Sequence, residues 1–384
     1  MADGHGGDGL DGLETPCLLL DADTVRANIG SMRAHLDRMQ VVLRPHLKTA
    51  KSLDVARLAM AGPAGPATVS TLREAEYFAE GGVRDMIYAV GIAPQKLDRV
   101  GAIRRRWGAD LAIILDSLAQ AEAVAAWSRG TGDKLSVLIE VDADGHRSGV
   151  GAGDTDRLLA IARALADGAE LRGVLLHAGD SYGLSDPSAL RAAAEAERVA
   201  AVSAAMILRE AGLPCPVVSV GSTPTARYAE HLDGVTEMRA GVFMVGDLFQ
   251  AGVGSCAIDD IALTVLTTVI GHQRDKGWII TDAGWMALSR DRGTARQSVD
   301  QGYGVVCDRA GRPYQDLIVR DANQEHGIVA RRAGSAAALP ELPVGARLRI
   351  LPNHACATGA QHTRYHVVTG GQYTGEIWPR INGW

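Results

Sequence analysis

The sequence predicts an α/β fold in which a (β/α)8 barrel of the TIM type is followed by a C-terminal β domain. The first observation is a series of short segments rich in Val, Ile and Leu, each separated from the next by a loop or a stretch with helical periodicity. Near-continuous apolar strands are typical of a parallel sheet whose outer face is covered by helices. The predicted strands span residues 41–48, 67–71, 86–90, 111–116, 135–142, 171–179, 216–222 and 234–242.

The second observation is the helical pattern between these segments. The segment Ser70-Thr71-Leu72-Arg73-Glu74-Ala75-Glu76 opens a helix with capping chemistry, and residues 154–166 and 187–211 are rich in Ala, Leu, Arg and Glu. Gly212 stands where a helix stop is expected. Eight strand-helix repeats predict the barrel, and a doubly wound open sheet is the alternative.

The third observation is a change of pattern after about residue 260. Runs rich in β-branched residues are followed by Gly and Asp turns, and no strong helical pattern continues to residue 384. We therefore predict a barrel domain over residues 22–260 and a β domain formed by residues 1–21 with 261–384. The segment at 15–21 could pair with the β domain.

The composition favours a small-molecule substrate. The net charge of -6 and the pI near 6.0 argue against nucleic acid or an anionic membrane as the main partner. The five cysteines are widely spaced, without a C-x-x-C pair, which fits a reducing compartment. The N-terminus lacks the basic and apolar regions of a secretory signal, and no apolar run reaches the roughly 20 residues of a membrane helix. We expect a cytoplasmic protein.

Polar side chains follow most of the predicted strands, at the end of a barrel where catalytic groups lie. Singly, each could be a capping or salt-bridging residue, but together they form a coherent set. They are His46, Lys48, Ser70, Asp116, Asp142, Asp144, Arg147, His177, Tyr182, Ser222, Thr223, Glu237 and Arg239.

Lys48 is the candidate nucleophile of this set. It follows an apolar strand, and a low-dielectric barrel mouth favours the neutral amine, which can attack an aldehyde to form a Schiff base. The alternative is a solvated lysine in the first turn after the strand, which is what we expect of Lys51.

Two loops could hold a phosphate opposite this lysine. Gly221-Ser222-Thr223 ends the seventh strand, and Gly241-Val242 ends the eighth. In this fold the corresponding loops commonly bind phosphate through backbone N–H groups and a helix dipole, although such a turn can also cap a helix without a ligand. A phosphate site facing a lysine suggests pyridoxal 5'-phosphate (PLP).

His354 and Cys356 form a candidate metal site in the β domain. Alternate residues of an extended segment point the same way, so both side chains could reach one metal ion. Two ligands would leave open coordination positions, as catalytic metal sites do. The alternative is a packed pair without a metal.

At this point the residues show a family likeness that runs nearly end to end. The chain resembles the fold-type III PLP enzymes of the D-threonine aldolase and eukaryotic-type D-serine dehydratase group, which are relatives of alanine racemase. The matching segments are Thr15-Pro16, residues 44–49, Arg147-Ser148-Gly149-Val150, His177 with Tyr182, Gly221-Ser222-Thr223, residues 237–241, Asp282-Ala283-Gly284, Glu325-His326-Gly327 and residues 352–356.

The resemblance implies a role for each matching residue. Lys48 would anchor the cofactor, Arg147 and Tyr182 would flank its ring, and His354 with Cys356 would bind a divalent metal (Zn, Mn, Mg or Co) beside it. The residues around the phosphate would be Gly221, Ser222, Thr223, Gly241 and Val242, with His46 and Arg239 also in the cofactor site. In alanine racemases the arginine matching Arg239 faces the pyridine nitrogen, a contact that this group need not share. The resemblance also suggests a homodimer.

The expected reaction is the dehydration of a D-3-hydroxy amino acid. Lys48 would remove the Cα proton, and the metal would help to expel the β-hydroxyl, giving a 2-oxo acid and ammonia. D-threo-3-hydroxyaspartate would give oxaloacetate. The thiol of Cys356 favours the dehydratases, because the aldolases commonly have an aspartate there. The alternatives are an aldolase, with His177 as the base that takes the hydroxyl proton, and a non-catalytic PLP-binding protein of cofactor homeostasis.

Overall fold

The structure, a computed structural model, describes residues 9–145 and 147–384. The described chain divides into two compact units. One comprises residues 30–241 with the last two residues, and the other comprises residues 242–382 with the N-terminal residues up to 29. Each unit is described by itself below.

The described residues form the following elements, numbered in chain order. The strands are β1 (Cys17–Asp21), β2 (Val42–Pro45), β3 (Ala67–Val69), β4 (Asp85–Gly91), β5 (Asp110–Leu115), β6 (Ser136–Asp142), β7 (Val150–Gly151), β8 (Glu170–Leu176), β9 (Val217–Val220), β10 (Glu237–Ala240), β11 (Leu263–Gln273), β12 (Trp278–Thr281), β13 (Gly304–Cys307), β14 (Pro313–Ala322), β15 (Gly327–Arg331), β16 (Arg347–Pro352), β17 (Arg364–Thr369) and β18 (Gln372–Pro379). The helices are α1 (Ala22–Arg38), α2 (Leu53–Ala59), α3 (Leu72–Glu80), α4 (Leu97–Trp107), α5 (Leu118–Thr131), α6 (Thr155–Ala166), α7 (Pro187–Glu210), α8 (Thr223–Tyr228), α9 (Leu248–Val253), α10 (Trp285–Leu288) and α11 (Ala355–Gly359).

The unit of residues 30–241 is a nearly closed parallel barrel. In the described chain its strands follow the order β2-β10-β9-β8-β6-β5-β4-β3, with β7 added beside β6. The two ends of this order meet through a parallel bridge between His46 and Thr68, where Leu47 N–H donates to the Thr68 carbonyl at 2.8 Å. Each of the eight predicted strands is confirmed, and the open-sheet alternative is wrong because β2 and β3 join.

Apolar strand residues and capped helices account for this barrel. Ile87, Ala112 and Leu138 belong to one buried cluster on neighbouring strands. Asp154 caps α6 and Asp186 caps α7, each by accepting a backbone N–H, so the predicted helices at these places are confirmed. Across the described residues, every helix falls short of the length and hydropathy that a bilayer crossing requires.

The other unit is an antiparallel β structure. In the described chain its strands follow the order β12-β15-β14-β13-β16-β11-β1-β17-β18, and the pairing of β12 with β11 closes the first six into a ring. β1 lies between β11 and β17, so the N-terminal segment does join this domain. The carboxylate of Asp282 helps to hold it there by accepting the hydroxyl protons of Thr15 at 2.5 Å and Thr267 at 2.6 Å.

Gly173 is the position in the barrel where a side chain fits least. Its φ is +149°, and a Cβ atom would lie 1.9 Å from the Val217 carbonyl oxygen on the neighbouring strand. We predict that Gly173→Ala lowers the free energy of unfolding by roughly 2–4 kcal/mol, measured by urea denaturation.

Gly30 provides the matched control for this substitution. It lies on the exposed face of α1, and a Cβ there would have no other described atom within 4 Å. Gly30→Ala should raise the free energy of unfolding by about 0.5–1 kcal/mol. Equal stability of the two variants would contradict the steric account of Gly173.

Candidate active site

Lys48 lies directly after the residues that close the barrel. His46 N–H donates to the Ala240 carbonyl at 2.7 Å, and Leu47 donates to Thr68 on the other side. The two residues that follow β2 are therefore hydrogen-bonded to the strands on both sides. Lys48, the next residue, is exposed in the single chain. This places the candidate nucleophile at the carboxyl-terminal rim of the barrel, where its amine is accessible.

Lys51 does not behave as the sequence predicts. Its Nζ lies 2.8 Å from Oε1 of the fully buried Glu74, and its side chain is only 17% exposed. The backbone of Lys51 has a φ of +47°, and Glu74 also accepts the N–H of Ser70 at 2.8 Å. The expectation of a solvated lysine is wrong, because a buried carboxylate needs a cationic partner.

The pKa of His46 reflects both burial and the positive charges at the rim. Burial lowers its pKa well below the ordinary value, and the charges of Lys48, Arg239 and Arg147 lower it further. Its Nε2 lies 3.4 Å from the Ser70 hydroxyl, while its buried Nδ1 has no hydrogen-bond partner among the described residues. His46 is therefore neutral, and the cations that act on it make the rim attractive to an anion.

His177 is fixed in one tautomer. Its Nδ1 must carry the proton, because it lies 2.8 Å from the Gly221 carbonyl oxygen, which only accepts. Burial lowers its pKa to about 3, the bond to Gly221 opposes this, and Arg147 lowers it further. The ring is therefore neutral at physiological pH with a lone pair on Nε2, and it lies 6.1 Å from the ring of Tyr182.

The predicted phosphate loop caps a helix through Ser222 and leaves the Thr223 hydroxyl without a hydrogen-bond partner in the described chain. Ser222 caps α8 in a capping box with Thr225, so the capping interpretation is correct for that residue. Thr223 is 2% exposed, and its Oγ1 has no hydrogen-bond partner in the described chain. A buried hydroxyl without a partner is costly, so the loop fits a ligand that accepts a hydrogen bond.

Glycine brings strand ends together at this rim. A Cβ on Gly221, whose φ is +140°, would lie 2.0 Å from the Arg239 carbonyl oxygen. A Cβ on Gly241 would lie 2.7 Å from the carbonyl oxygen of His46. Val242 is buried and belongs to the other compact unit. The close approach of these backbones explains why glycines occupy both predicted loop positions.

The two predicted arginines are held differently. Arg239 is buried, and its guanidinium donates to the Ser219 hydroxyl at 2.9 Å and to the Leu176 carbonyl. Burial lowers its pKa to about 10, although neighbouring carboxylates oppose the shift. Arg147 is half-exposed and lies 3.6 Å from Glu140. Arg239 is thus held within the barrel wall by two hydrogen bonds, whereas about half of the Arg147 side chain is exposed.

These features fit PLP. The cations Lys48, Arg147 and Arg239 suit an anionic ligand, and the unpartnered Thr223 hydroxyl suits a phosphate oxygen. The exposed amine of Lys48 suits an aldehyde. Three features of the rim therefore suit this cofactor: the positive charge, the Thr223 hydroxyl without a partner and the Lys48 side chain.

His354 and Cys356 interact in the other unit. His354 Nδ1 donates to Oδ2 of Asp291 at 2.7 Å, which leaves Nε2 for another partner. Burial lowers the pKa of His354, but its hydrogen bonds to Asp291 and Cys356 outweigh burial and raise the pKa to about 11. Asp247 adds to this effect. The surroundings of His354 therefore favour a positive charge.

The His-x-Cys segment is not the extended one that the sequence predicts. β16 ends at Pro352, and Cys356 lies in the short helix α11, with His354 at its N-cap. The side chain of Asn353 donates to the Gly302 carbonyl at 2.8 Å, and the buried Asp247 accepts the N–H of Ala355 at 2.8 Å. These bonds end the strand and turn the chain into the helix.

The donor set fits a divalent cation with open coordination positions. An imidazole and a thiol with two nearby carboxylates offer both the ligands and the negative charge. Among the described residues, no group of three or more His, Cys, Asp and Glu side chains is arranged to hold a metal ion. His354 and Cys356 would therefore leave coordination positions for water or substrate.

Sequence reasoning missed the residues that support both sites. Glu197 on α7 is buried, and its Oε1 accepts the N–H of Ala178 at 3.0 Å and of Gly221 at 2.9 Å. Burial raises its pKa, and the hydrogen bonds that it accepts oppose this. The one available signal was an acidic residue on the apolar face of a helix, between the buried Ala194 and Ala201. Asp247 gave no signal of its bond to Ala355, because the two residues lie 108 positions apart. Asp291 lies in a polar loop, residues 289–293, which the sequence marks as one that could frame a site.

The chain is similar to known proteins over almost its whole length. The family model of the alanine racemase N-terminal domain matches residues 20–248, and that of a serine dehydratase domain matches residues 262–368. D-threo-3-hydroxyaspartate dehydratase of Delftia sp. (strain HT23) is 55% identical over 375 residues, which are 97% of this chain and 98% of that protein. D-threonine aldolase of Arthrobacter sp. is 30% identical, with 97% of this chain and 93% of that protein covered.

Solved structures agree with these matches. The structure of the Delftia sp. HT23 dehydratase has a TM-score of 0.94 and covers 98% of this chain and 100% of its own. A cysteine-to-alanine mutant of D-threo-3-hydroxyaspartate dehydratase, described as the metal-free form, has a TM-score of 0.95 at 54% identity, with 98% of this chain and 100% of its own covered. The alternative of a non-catalytic PLP-binding protein is not supported, because the matches to enzymes include the β domain. The chain belongs to the fold-type III PLP enzymes with an alanine racemase N-terminal domain and a serine dehydratase domain, and it is a PLP-dependent lyase.

Proposed function

We propose that this enzyme is a PLP- and metal-dependent dehydratase that converts D-threo-3-hydroxyaspartate to oxaloacetate and ammonia. The observation that carries the proposal is the His354–Cys356 pair in a chain that also has Lys48 at the barrel rim. The named activity of the relative at 55% identity supports the substrate. The thiol supports dehydration, since the resemblance associates an aspartate at that position with aldolases.

Lys48 has two tasks in this proposal. Its amine would hold the cofactor covalently, and during turnover the same amine would take the proton from Cα of the substrate. PLP, when bound, delocalises the electron pair that the proton leaves on Cα. Thr223 and the backbone N–H groups of its loop would hold the phosphate, and Arg147 and Tyr182 would lie beside the ring. His46 and Arg239 complete the cofactor site.

The metal ligands act on the leaving group. His354 and Cys356 hold the divalent cation, which would supply Lewis-acid chemistry toward a hydroxyl oxygen. Asp291 keeps the His354 Nδ1 protonated and its Nε2 directed away from the carboxylate. A thiolate and an imidazole are ligands that Zn and Co accept, whereas Mg and Mn prefer oxygen. We propose zinc or cobalt before manganese or magnesium.

The aldolase reaction is the second candidate, and D-threonine aldolase of Arthrobacter sp. is a relative that supports it. That route needs a base that takes the β-hydroxyl proton, and the sequence analysis names His177 for this role. The lowered pKa of about 3 makes His177 a weak base at neutral pH, although its Nε2 can still accept a hydrogen bond. This property favours dehydration over Cα–Cβ cleavage.

We also propose a cytoplasmic homodimer. The resemblance supports the dimer, and the cysteines support a reducing compartment, since the described chain contains no disulfide bond.

The products separate the two reactions. With D-threo-3-hydroxyaspartate the reconstituted enzyme should release ammonia and oxaloacetate in equal amounts, measured with coupled dehydrogenase assays. D-threonine serves as the second substrate, assayed for glycine and acetaldehyde. Glycine with an aldehyde as the main products from either substrate would reject the dehydratase proposal.

Lys48→Ala should remove both covalent attachment and turnover. We expect the visible absorbance of the bound cofactor to change to that of free PLP, and activity to fall below detection, because no other amine replaces the lysine. Lys96→Ala, at an exposed lysine whose Nζ lies 3.1 Å from the Tyr88 hydroxyl, is the control and should retain both. An unchanged spectrum in Lys48→Ala would reject the assignment.

Asp291→Asn should weaken metal binding without unfolding the β domain. Loss of the carboxylate that orients a metal-bound histidine typically costs about 10–100-fold in metal affinity, and we expect that range for cobalt measured by equilibrium dialysis. Asp300→Asn is the matched control, because Asp300 pairs with Arg292 at 2.6 Å instead. Wild-type affinity in Asp291→Asn would show that Asp291 does not support the metal site.

A further inference from the structure

A chain of buried polar groups lies behind the phosphate loop. Glu197 joins the ends of β8 and β9 through the N–H groups of Ala178 and Gly221, and it also hydrogen-bonds the side chain of Thr225. The Thr225 hydroxyl lies 2.9 Å from the Ser222 hydroxyl. All these side chains are at most 2% exposed, so water does not replace their partners.

Ser181 continues this chain into the turn that carries Tyr182. The Ser181 hydroxyl lies 2.9 Å from that of Ser222 and 2.7 Å from the carbonyl oxygen of Ala178. Ala178 follows His177 directly, and Tyr182 lies within the turn of residues 179–183 that begins after Ala178. One hydroxyl contact therefore links the phosphate loop with the turn between His177 and Tyr182.

The proton of one of these hydroxyls can be assigned by counting. A hydroxyl has one proton, and a carbonyl oxygen only accepts, so Ser181 donates to Ala178. The Ser222 hydroxyl lies 2.9 Å from both the Ser181 and the Thr225 hydroxyls, and it has one proton for these two contacts. The Thr223 hydroxyl, by contrast, has no partner in the described chain. The two neighbouring hydroxyls of the loop are thus not equivalent.

We propose that Ser181 is a positioning residue that couples the phosphate loop to the turn carrying His177 and Tyr182. This inference rests on the proposed function, because it takes the loop as the phosphate site. Ser222 links Ser181 to the phosphate loop, and Thr223 donates a hydrogen bond to the bound phosphate. Ser181 touches neither substrate nor cofactor in this assignment, so it acts through its neighbours.

The test compares cofactor affinity with turnover in holoenzyme variants. Thr223→Val should raise the PLP dissociation constant by about 10–100-fold, because it removes a hydrogen bond to a charged group. Ser181→Ala should leave that constant within about threefold, since the Thr223 hydroxyl proposed to bind the phosphate is unchanged. It should lower kcat by roughly fivefold to tenfold, as expected for one lost hydrogen bond, and change the visible circular dichroism of the cofactor.

Two further variants make the result specific. Ser181→Thr keeps the hydroxyl and should restore kcat and the dichroism, and Ser188→Ala, an exposed serine at the start of α7, should behave as wild type. Ser181→Ala combined with Ser222→Ala should lower kcat no further than Ser222→Ala alone, because both remove one contact.

Three results would overturn the proposal. They are an unchanged kcat in Ser181→Ala, a loss of PLP affinity in it equal to that of Thr223→Val, or additive effects in the double variant. Failure of the proposed function would appear differently, as a wild-type protein that releases no ammonia from D-threo-3-hydroxyaspartate.

Discussion

The closure of a parallel barrel is the constraint on which the cofactor site depends. Parallel strands end at one rim, so the residues that follow them converge whether or not their side chains attract each other. At this rim the cations act together on His46 and lower its pKa. Glu197 holds two strand ends from behind, and the Thr223 hydroxyl is left for a ligand. An anion with a phosphate group would complement the positive charge of the rim and accept a hydrogen bond from the Thr223 hydroxyl.

The β domain presents the opposite electrostatics. Against the effect of burial, Asp291 and Cys356 raise the pKa of His354 to about 11, whereas burial, with nearby cations, lowers the pKa of His177 to about 3. Two histidines of one chain thus have different tasks, one as a ligand in a site that favours positive charge and one as a neutral hydrogen-bonding group. This contrast is consistent with the anionic cofactor and the divalent cation proposed above.

The sequence predicted those features that depend on local pattern. The apolar periodicity gave all eight barrel strands, and a glycine at each of two strand ends marked the loops. It did not predict the Lys51–Glu74 pair or the helical turn at Cys356, since both depend on distant partners such as Asp247. Asp247 was missed for the same reason, and Glu197 left only the weak signal of an acidic residue on an apolar helix face.

The most direct test of this account is where PLP attaches. The holoenzyme can be reduced with borohydride, which fixes the cofactor to its lysine, and then digested and fragmented in a mass spectrometer. Lys48 and Lys51 lie close enough in sequence to share a peptide, so fragmentation must distinguish them. The account predicts the pyridoxyl mass on Lys48 alone. The same mass on Lys51, or on a lysine outside the barrel rim, would contradict it.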